Sequence, residues 1–337
     1  MDVKIKSAVV TGPTGVIGSA LVRYLAEKGI DTYAVCHPGS ARNRDIPDNR
    51  FIHKIYCNLS EICSLPELIG ENIDTFFHLA WMGTQDRRNR MDMYMQNINV
   101  RYALDSVKVA AELKCKVYVG AGSQAEYGHI DGVIHSDNSE NPITGYGMAK
   151  LCAGQMTRAM CHEYGIRHVW PRILSVYGPN DGKETLINTV IYNLLEHKVP
   201  ALTSGEQVWD YLYSMDAAEA LLAMAECGRD GAKYTLGSGH TKQLKEFMLL
   251  VRDAVNPDAE IGIGQIEYLP NQVMHLEADI SDLTKDTDWK PHTAFEDGIR
   301  MTVDQIRKNG GGVSPDRVVL LAFSRHTDYI VTSLEVA

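Results

Sequence analysis

Tyr146 and Lys150 stand four residues apart in Tyr146-Gly147-Met148-Ala149-Lys150, a spacing that stacks both side chains on one helical face. A phenol ordinarily titrates near pH 10, too high to exchange protons readily at neutrality. A neighbouring ammonium favours the phenolate and brings the group toward general acid/base work. Some twenty residues earlier Ser123 lies in Gly120-Ala121-Gly122-Ser123-Gln124-Ala125-Glu126-Tyr127-Gly128, just past an apolar run. A hydroxyl there could hydrogen-bond an oxygen whose proton Tyr146 gives or takes. The bland alternative is a half-buried tyrosine beside a lysine that snorkels.

Such a trio needs a scaffold that brings a strand end and a helix together, and the N-terminal segment supplies one. Ser7-Ala8-Val9-Val10 is short, apolar and β-prone, as in a strand buried on both faces. Thr11-Gly12-Pro13-Thr14-Gly15-Val16-Ile17-Gly18 follows, and from Val16 the apolar residues recur at helical spacing. A strand, a glycine turn and a helix N-terminus make an anion site of backbone N–H groups. Gly12 permits the turn, Gly15 admits a pyrophosphate, and Gly18 lets the helix pack on the strand. The chemistry is therefore expected to be hydride transfer with a nicotinamide dinucleotide.

Strands are expected at 31–36, 74–80, 116–120 and 167–174. Helices over 93–113 and 146–164 alternate with them, which predicts an α/β fold with a doubly wound parallel sheet. The ligand crevice then lies at the strands' carboxyl ends. The second strand ends Cys36-His37-Pro38-Gly39-Ser40-Ala41-Arg42-Asn43-Arg44, without the acid that commonly grips the adenosine ribose. Arg42 and Arg44, with Ser40, suit a 2′-phosphate, so NADP is favoured over NAD. The two arginines could equally be solvated loop charges.

The joint pattern resembles the extended short-chain dehydrogenases/reductases, more narrowly their nucleotide-sugar epimerase, dehydratase and 4-ketoreductase branch. The resemblance rests on TGPTGVIG, His78-Leu79-Ala80, Asn99, Ser123 before Tyr127-Gly128, YGMAK and Val176-Tyr177-Gly178-Pro179, and covers about residues 4–308. It implies a Rossmann-type domain over 1–178, with 206–226 returning to it. A smaller mixed α/β substrate lobe is expected over 179–205 and 227–308, holding strands at 234–236 and 260–263. It makes Ser123, Tyr146 and Lys150 catalytic, with Asn99 supporting the lysine through a water. Gly12, Thr14, Gly15, Val16, Ile17, Gly18, His37, Ser40, Arg42, Asn58, Leu59, Leu79, Ala80, Lys150 and Pro171 would hold the cofactor.

Within the branch, 4,6-dehydratases carry an Asp-Glu pair where this chain has Gln124-Ala125; Glu126 is displaced by one residue and should point elsewhere. That argues for a 4-ketoreductase or, as an alternative, an NAD-dependent epimerase, with a non-sugar carbonyl reductase behind both. Two nucleotide-binding positions also depart from the pattern: Ser175 replaces an asparagine, and Trp209 an arginine whose double hydrogen bond indole cannot make. Trp81, Arg87, Arg88 and Arg90 in the loop after Ala80 are candidate substrate contacts, with Gln124, Ala125, Ser175, Trp209 and His275.

The 337 residues are 45% hydrophobic and 23% charged, with a formal net charge of −10. That balance is ordinary for a soluble globular chain and unfavourable for nucleic-acid or anionic-membrane surfaces. No apolar stretch is long enough to span a bilayer, and Met1-Asp2-Val3-Lys4 does not open a signal peptide, so the expected address is cytoplasmic. Seven scattered cysteines suggest reduced thiols, and no histidine spacing suggests a metal. By the resemblance, helices 93–113 and 146–164 would form a homodimer interface. A linker at 310–315 and strand-like runs at 317–323 and 329–331 make a tail, 309–337, that matches nothing in the family.

Overall fold

A computed structural model describes residues 3–84, 87–268 and 272–309. The linker and strand-like runs expected beyond residue 309 lie outside the described residues. Two helical layers enclose a parallel sheet, and a smaller lobe rises beyond its carboxyl end.

The chain enters at β1 (Ser7–Thr11), which becomes a central strand because Ala8, Val9 and Val10 are wholly buried. Helix α1 (Val16–Glu27) returns it to β2 (Asp31–Cys36), and β3 (Ile52–Tyr56) lies outside β2. The sequence gives little sign of β3, since His53 and Lys54 break its apolar pattern and the strand is only half-buried at the sheet edge. After the short α2 (Leu65–Ile69) the chain crosses to the other side of β1 and forms β4 (Thr75–His78). Next come α3 (Arg87–Met91), α4 (Met93–Glu112), β5 (Val117–Gly120) and the two-residue β6 (Gly122–Ser123).

A small strand, β7 (Gly132–Ile134), precedes α5 (Gly145–Tyr164) and β8 (Arg167–Ile173). β9 (Ser175–Tyr177) and α6 (Leu186–Leu195) enter the lobe, and β10 (Val208–Tyr213) follows. Helix α7 (Ser214–Cys227) packs back against α1, and β11 (Ala232–Leu236) completes the sheet in the order β11-β8-β5-β4-β1-β2-β3. Strand order reverses between β1 and β4, which sets the ligand crevice at their carboxyl ends. Alternate side chains serve the two layers: Val10 and Phe77 pack with Leu21 and Leu221, while Val9 and Phe76 pack with Val107 and Tyr118.

The expected strand at 234–236 is real but belongs elsewhere. It pairs in parallel with β8, Ala232 opposite Val169 through Leu236 opposite Ile173, because buried Ala232, Tyr234 and Leu236 extend the main sheet's core. The expected strand at 260–263 reduces to one bridge, Ala201 with Gly262. The lobe itself is built from β9, β10 and β12 (Thr241–Gln243), with β13 (Leu276–Ala278) on β7. Helices α8 (Leu244–Val255) and α10 (Phe295–Lys308) cover it, after the short α9 (Ser281–Thr287). Its centre is aromatic: Phe295 lies 4.7 Å from Tyr177 and 4.5 Å from Phe247, ring centre to ring centre. No helix among the described residues is long and apolar enough to cross a membrane.

Candidate active site

A cavity of about 1220 Å³ runs along the strand ends, from the glycine turn to the lobe. Thr11 fixes its floor: the hydroxyl accepts from the Leu79 and Ala80 amides at 3.1 and 3.2 Å, tying β1 to β4. The three glycines then divide the labour. Gly12 has φ +69°, and a Cβ there would lie 2.9 Å from the Ala80 nitrogen. A Cβ on Gly18 would fall 2.0 Å from the Gly12 oxygen, so the close approach of α1 to the turn requires glycine. Gly15 caps α1 without a side chain, and its only neighbour would be the Gly12 oxygen at 3.7 Å, which leaves its outer side open. Gly12, Thr14, Gly15, Val16, Ile17 and Gly18 line the cavity, where the first-turn N–H groups of a helix lack intrahelical partners. A pyrophosphate fits this cradle.

The remaining cofactor positions divide. His37, Arg42, Leu59, Leu79 and Ala80 line the same cavity, joined by Arg44 and Cys57. Ser40 does not; its hydroxyl caps the turn after β2 by accepting from the Arg42 amide at 3.3 Å. Asn58 also stays off the wall and heads the 3-10 turn at Leu59–Ser64. Pro171 is a correction. It is buried inside β8 between two stretches of ladder, where β5 pairing ends at Val169 and β6 pairing begins at Arg172. A residue with no N–H fits that gap, and Ile173, further along the strand, lines the cavity instead. Arg42 donates through Nη2 to the Asn180 carbonyl, crossing from the sheet domain to the lobe.

Ser123 ends β6, and Tyr146 and Lys150 lie one turn apart on α5, with Lys150 Nζ 5.7 Å from the Tyr146 ring centre. Thr144 caps α5 by accepting from the Gly147 amide at 3.0 Å, which sets Tyr146 in the first turn. Tyr146 is 1% exposed, and its hydroxyl has no hydrogen-bond partner among the described residues. Burial raises its pKa, while the Arg90 guanidinium, 5.2 Å from the ring centre, and Ser123 pull the other way. The charge that favours the phenolate is thus Arg90 rather than Lys150. Arg90 also donates to the Thr84 carbonyl at 3.3 Å. Lys150 donates to the Ala121 carbonyl at 2.7 Å and sits 3.9 Å from the Trp81 ring centre. Burial lowers it to about 7. Burial, with Lys150 adding to it, also lowers His78 to about 3, so that ring is neutral.

Asn99 lies on α4 and is 1% exposed. Its side chain brackets Met82, accepting from the amide at 2.8 Å and donating to the carbonyl at 3.0 Å. It therefore holds the loop after β4, and with it Trp81. Gln96, which the sequence did not single out, accepts from the Trp81 indole at 2.8 Å and donates to the Asn89 carbonyl. No local pattern marks Gln96; only the helix register of α4 places it below the loop. Trp81 lines the cavity and meets Tyr146 edge-on at 6.2 Å.

Gln124 and Ala125 follow Ser123 in a short turn, half-buried, and neither carries a carboxylate. Glu126 turns away. It accepts from the Ser123 amide at 2.8 Å and the Trp170 indole at 3.0 Å, and pairs with Arg172 at 2.7 Å behind the site. Arg172 reaches on to Glu140.

Three substrate expectations are corrected. Trp209 is 2% exposed, and its indole donates to the Ser175 hydroxyl at 2.9 Å, so the two positions satisfy each other inside the lobe. Neither lines the cavity; β9 and β10 are adjacent strands with Ser175 opposite Tyr211, and Trp209 reaches Ser175 diagonally from two residues along β10. His275 lies away from the cavity as well, held by Asp131 through its amide and by Glu277 at 2.8 Å. Arg87 opens α3, and its side chain lies outside the described residues. Asp216, Glu219 and His292 converge on the far side of α7, but Asp216 already accepts from the His292 amide and from the amide and hydroxyl of Thr293.

The model for the NAD dependent epimerase/dehydratase family matches residues 8–237. A dTDP-glucose 4,6-dehydratase from Salmonella typhimurium is 27% identical, over 89% of this chain and 92% of that protein. A dTDP-4-dehydro-6-deoxyglucose reductase from Escherichia coli is 24% identical, over 91% and 99%. Among solved structures, UDP-glucuronic acid 4-epimerase from Bacillus cereus in complex with NAD superposes with a TM-score of 0.76. It is 19% identical and covers 90% of this chain and 99% of that one.

Proposed function

The chain belongs to the NAD dependent epimerase/dehydratase family, and from that premise we propose that it transfers hydride at one ring carbon of a nucleotide-activated sugar, without 4,6-dehydration. The observation that carries this is the turn after Ser123. Gln124 and Ala125 offer no acid or base, and Glu126 is committed to Arg172. Elimination of a sugar hydroxyl needs both a proton donor and a base at that place; hydride transfer needs neither.

Bound at the glycine turn, NAD(P) supplies or accepts the hydride. The chain's own groups handle the proton. Tyr146, kept neutral by burial, donates its proton to the oxygen of a carbonyl undergoing reduction, and Ser123 hydrogen-bonds the same oxygen. Arg90, 5.2 Å from the ring centre, counters the negative charge left on the phenol. In the reverse direction the same atoms take a proton from an alcohol.

Of the two activities this leaves, 4-ketoreduction of a deoxysugar nucleotide has a reductase relative matched along nearly its whole length to support it. A second reading, 4-epimerisation on retained NAD, draws support from the Arg42 bond to Asn180, which bridges the cofactor cleft. The exposed Tyr94, Ile98, Met148 and Met156 on α4 and α5 support the expected homodimer.

The deciding experiment identifies any dinucleotide released on denaturation. It then supplies dTDP-4-dehydro-6-deoxyglucose with NADH or NADPH, and dTDP-glucose with NAD. Stoichiometric cofactor consumption on the keto sugar supports the reductase; retained NAD with none consumed supports the epimerase. Formation of the 4-keto-6-deoxy product from dTDP-glucose sinks both.

A further inference from the structure

The cavity wall facing the glycine turn holds polar atoms for which hydride transfer has no use. Beyond Pro179 the chain runs through Asn180, Asp181 and Gly182 toward α6, and Asn180, Asp181 and Asn188 all line the cavity. Each has one side-chain atom shielded from water and unpartnered among the described residues: Asn180 Nδ2, Asp181 Oδ2 and Asn188 Oδ1. They are nonetheless held in place. Asp181 Oδ1 accepts from the Gly182 amide at 2.7 Å, and Asn188 Nδ2 donates to the Gly182 carbonyl at 3.1 Å. The Thr185 hydroxyl donates to that same carbonyl at 3.0 Å. Buried acceptors without donors are costly and rare in folded proteins; two at one cavity wall call for a ligand that brings hydroxyl donors.

Their position narrows the ligand. Arg42 comes from the loop after β2, the loop that faces the adenosine ribose in this architecture, and its guanidinium bonds to the Asn180 carbonyl. That loop therefore meets residues 180–182 across the cleft. The end of β2 has no acid of its own, only Cys36 and His37.

We propose that Asp181 supplies the missing carboxylate from the opposite lobe, accepting a hydroxyl of the cofactor's adenosine ribose and thereby selecting NAD over NADP. The inference rests on the dinucleotide reading of the glycine turn. Arg42 lines the cavity, but its Nη2 is engaged by the Asn180 carbonyl and its charge lies beside the Asp181 carboxyl, which competes with a phosphate for it. A 2′-phosphate entering there meets a carboxylate, whereas a 2′-hydroxyl meets an acceptor. This reverses the preference that Arg42 and Arg44 suggested in the sequence.

The test titrates NADH and NADPH against the intact protein and against Asp181→Asn, following cofactor fluorescence in alkaline buffer. Such buffer lies above the value of about 7 to which burial raises the Asp181 carboxyl. Asparagine keeps the Oδ1 acceptor for the Gly182 amide and replaces the charged Oδ2 acceptor with an NH2 donor; Asp181→Ser serves if that variant folds poorly. The parent protein should prefer NADH, and the variants should move the NADPH:NADH affinity ratio roughly tenfold toward NADPH, a change of about 1.4 kcal/mol. An unchanged ratio overturns the inference. So does an unchanged ratio with weakened binding of dTDP, which would assign the carboxylate to the ribose of the sugar nucleotide. If the parent binds neither dinucleotide, the reading of the glycine turn falls as well.

Discussion

The Tyr146 corner of the cavity and the Ser175–Trp209 pair of the lobe are both buried and both polar, yet they are satisfied in opposite ways. Trp209 and Ser175 close on each other. Tyr146 keeps a hydroxyl with no partner among the described residues, next to a lysine with a lowered pKa and a guanidinium over its ring. A buried pair that completes itself is architecture. A buried group left incomplete at a cavity wall is costly unless a ligand completes it, and such groups mark where chemistry happens.

The contrast can be broken by mutation. Tyr146→Phe removes a hydroxyl that no well-formed hydrogen bond holds among the described residues. Turnover should fall about 10²–10⁴-fold, the usual contribution of a general acid or base, with melting temperature and cofactor affinity nearly unchanged. A large loss of stability instead would mean the hydroxyl is structural.

Arg172→Leu leaves Glu126 buried and unpaired behind Ser123. The expected cost is about 3–5 kcal/mol of unfolding free energy in a denaturant titration, and activity should fall with it because Glu126 holds the Ser123 amide.

Lys150→Met should raise the melting temperature while activity is lost. The lysine's folded pKa is about 7, against 10.5 for a free lysine. Between those values the unfolded chain binds the extra proton, so stability rises with pH through that window and is flat on either side. Thermal melts across it should show the slope in the parent and lose it in Lys150→Met.

Trp209→Phe is the smallest expected effect. It breaks one buried hydrogen bond at about 0.5–1.5 kcal/mol and should leave KM for the sugar nucleotide within about twofold. A tenfold rise in KM would return Trp209 to the substrate and erase the contrast.

What could be read in the sequence follows the same line. The glycine turn and the Tyr146–Lys150 spacing are legible because each is local: a turn plus one helix, or one helical turn. Ser123 is legible because strand ends in a parallel sheet share one crevice. The Ser175–Trp209 bond is not, since matching each position to a family motif reveals nothing of a neighbour on an adjacent strand. The same holds for Tyr234, whose alternating pattern announces a strand but not which sheet edge will receive it. Asn180-Asp181-Gly182 looks like an ordinary turn; only the crossing of Arg42 shows that the cofactor loop lies against it.

The late arrival of β11 has a consequence for synthesis. The chain makes β8, leaves to form the lobe's first elements and α7, and only then supplies the strand that covers β8's outer edge. At translation rates of about 5–20 residues per second, β8 waits several seconds as an open edge that could template pairing with another nascent chain. Pro171 lies in the middle of that edge, opposite the place Tyr234 will take. Its missing N–H faces β5 and β6, so it does not close that edge; the Leu174 N–H stays open to an intruding strand until the Leu236 carbonyl takes it at 2.9 Å.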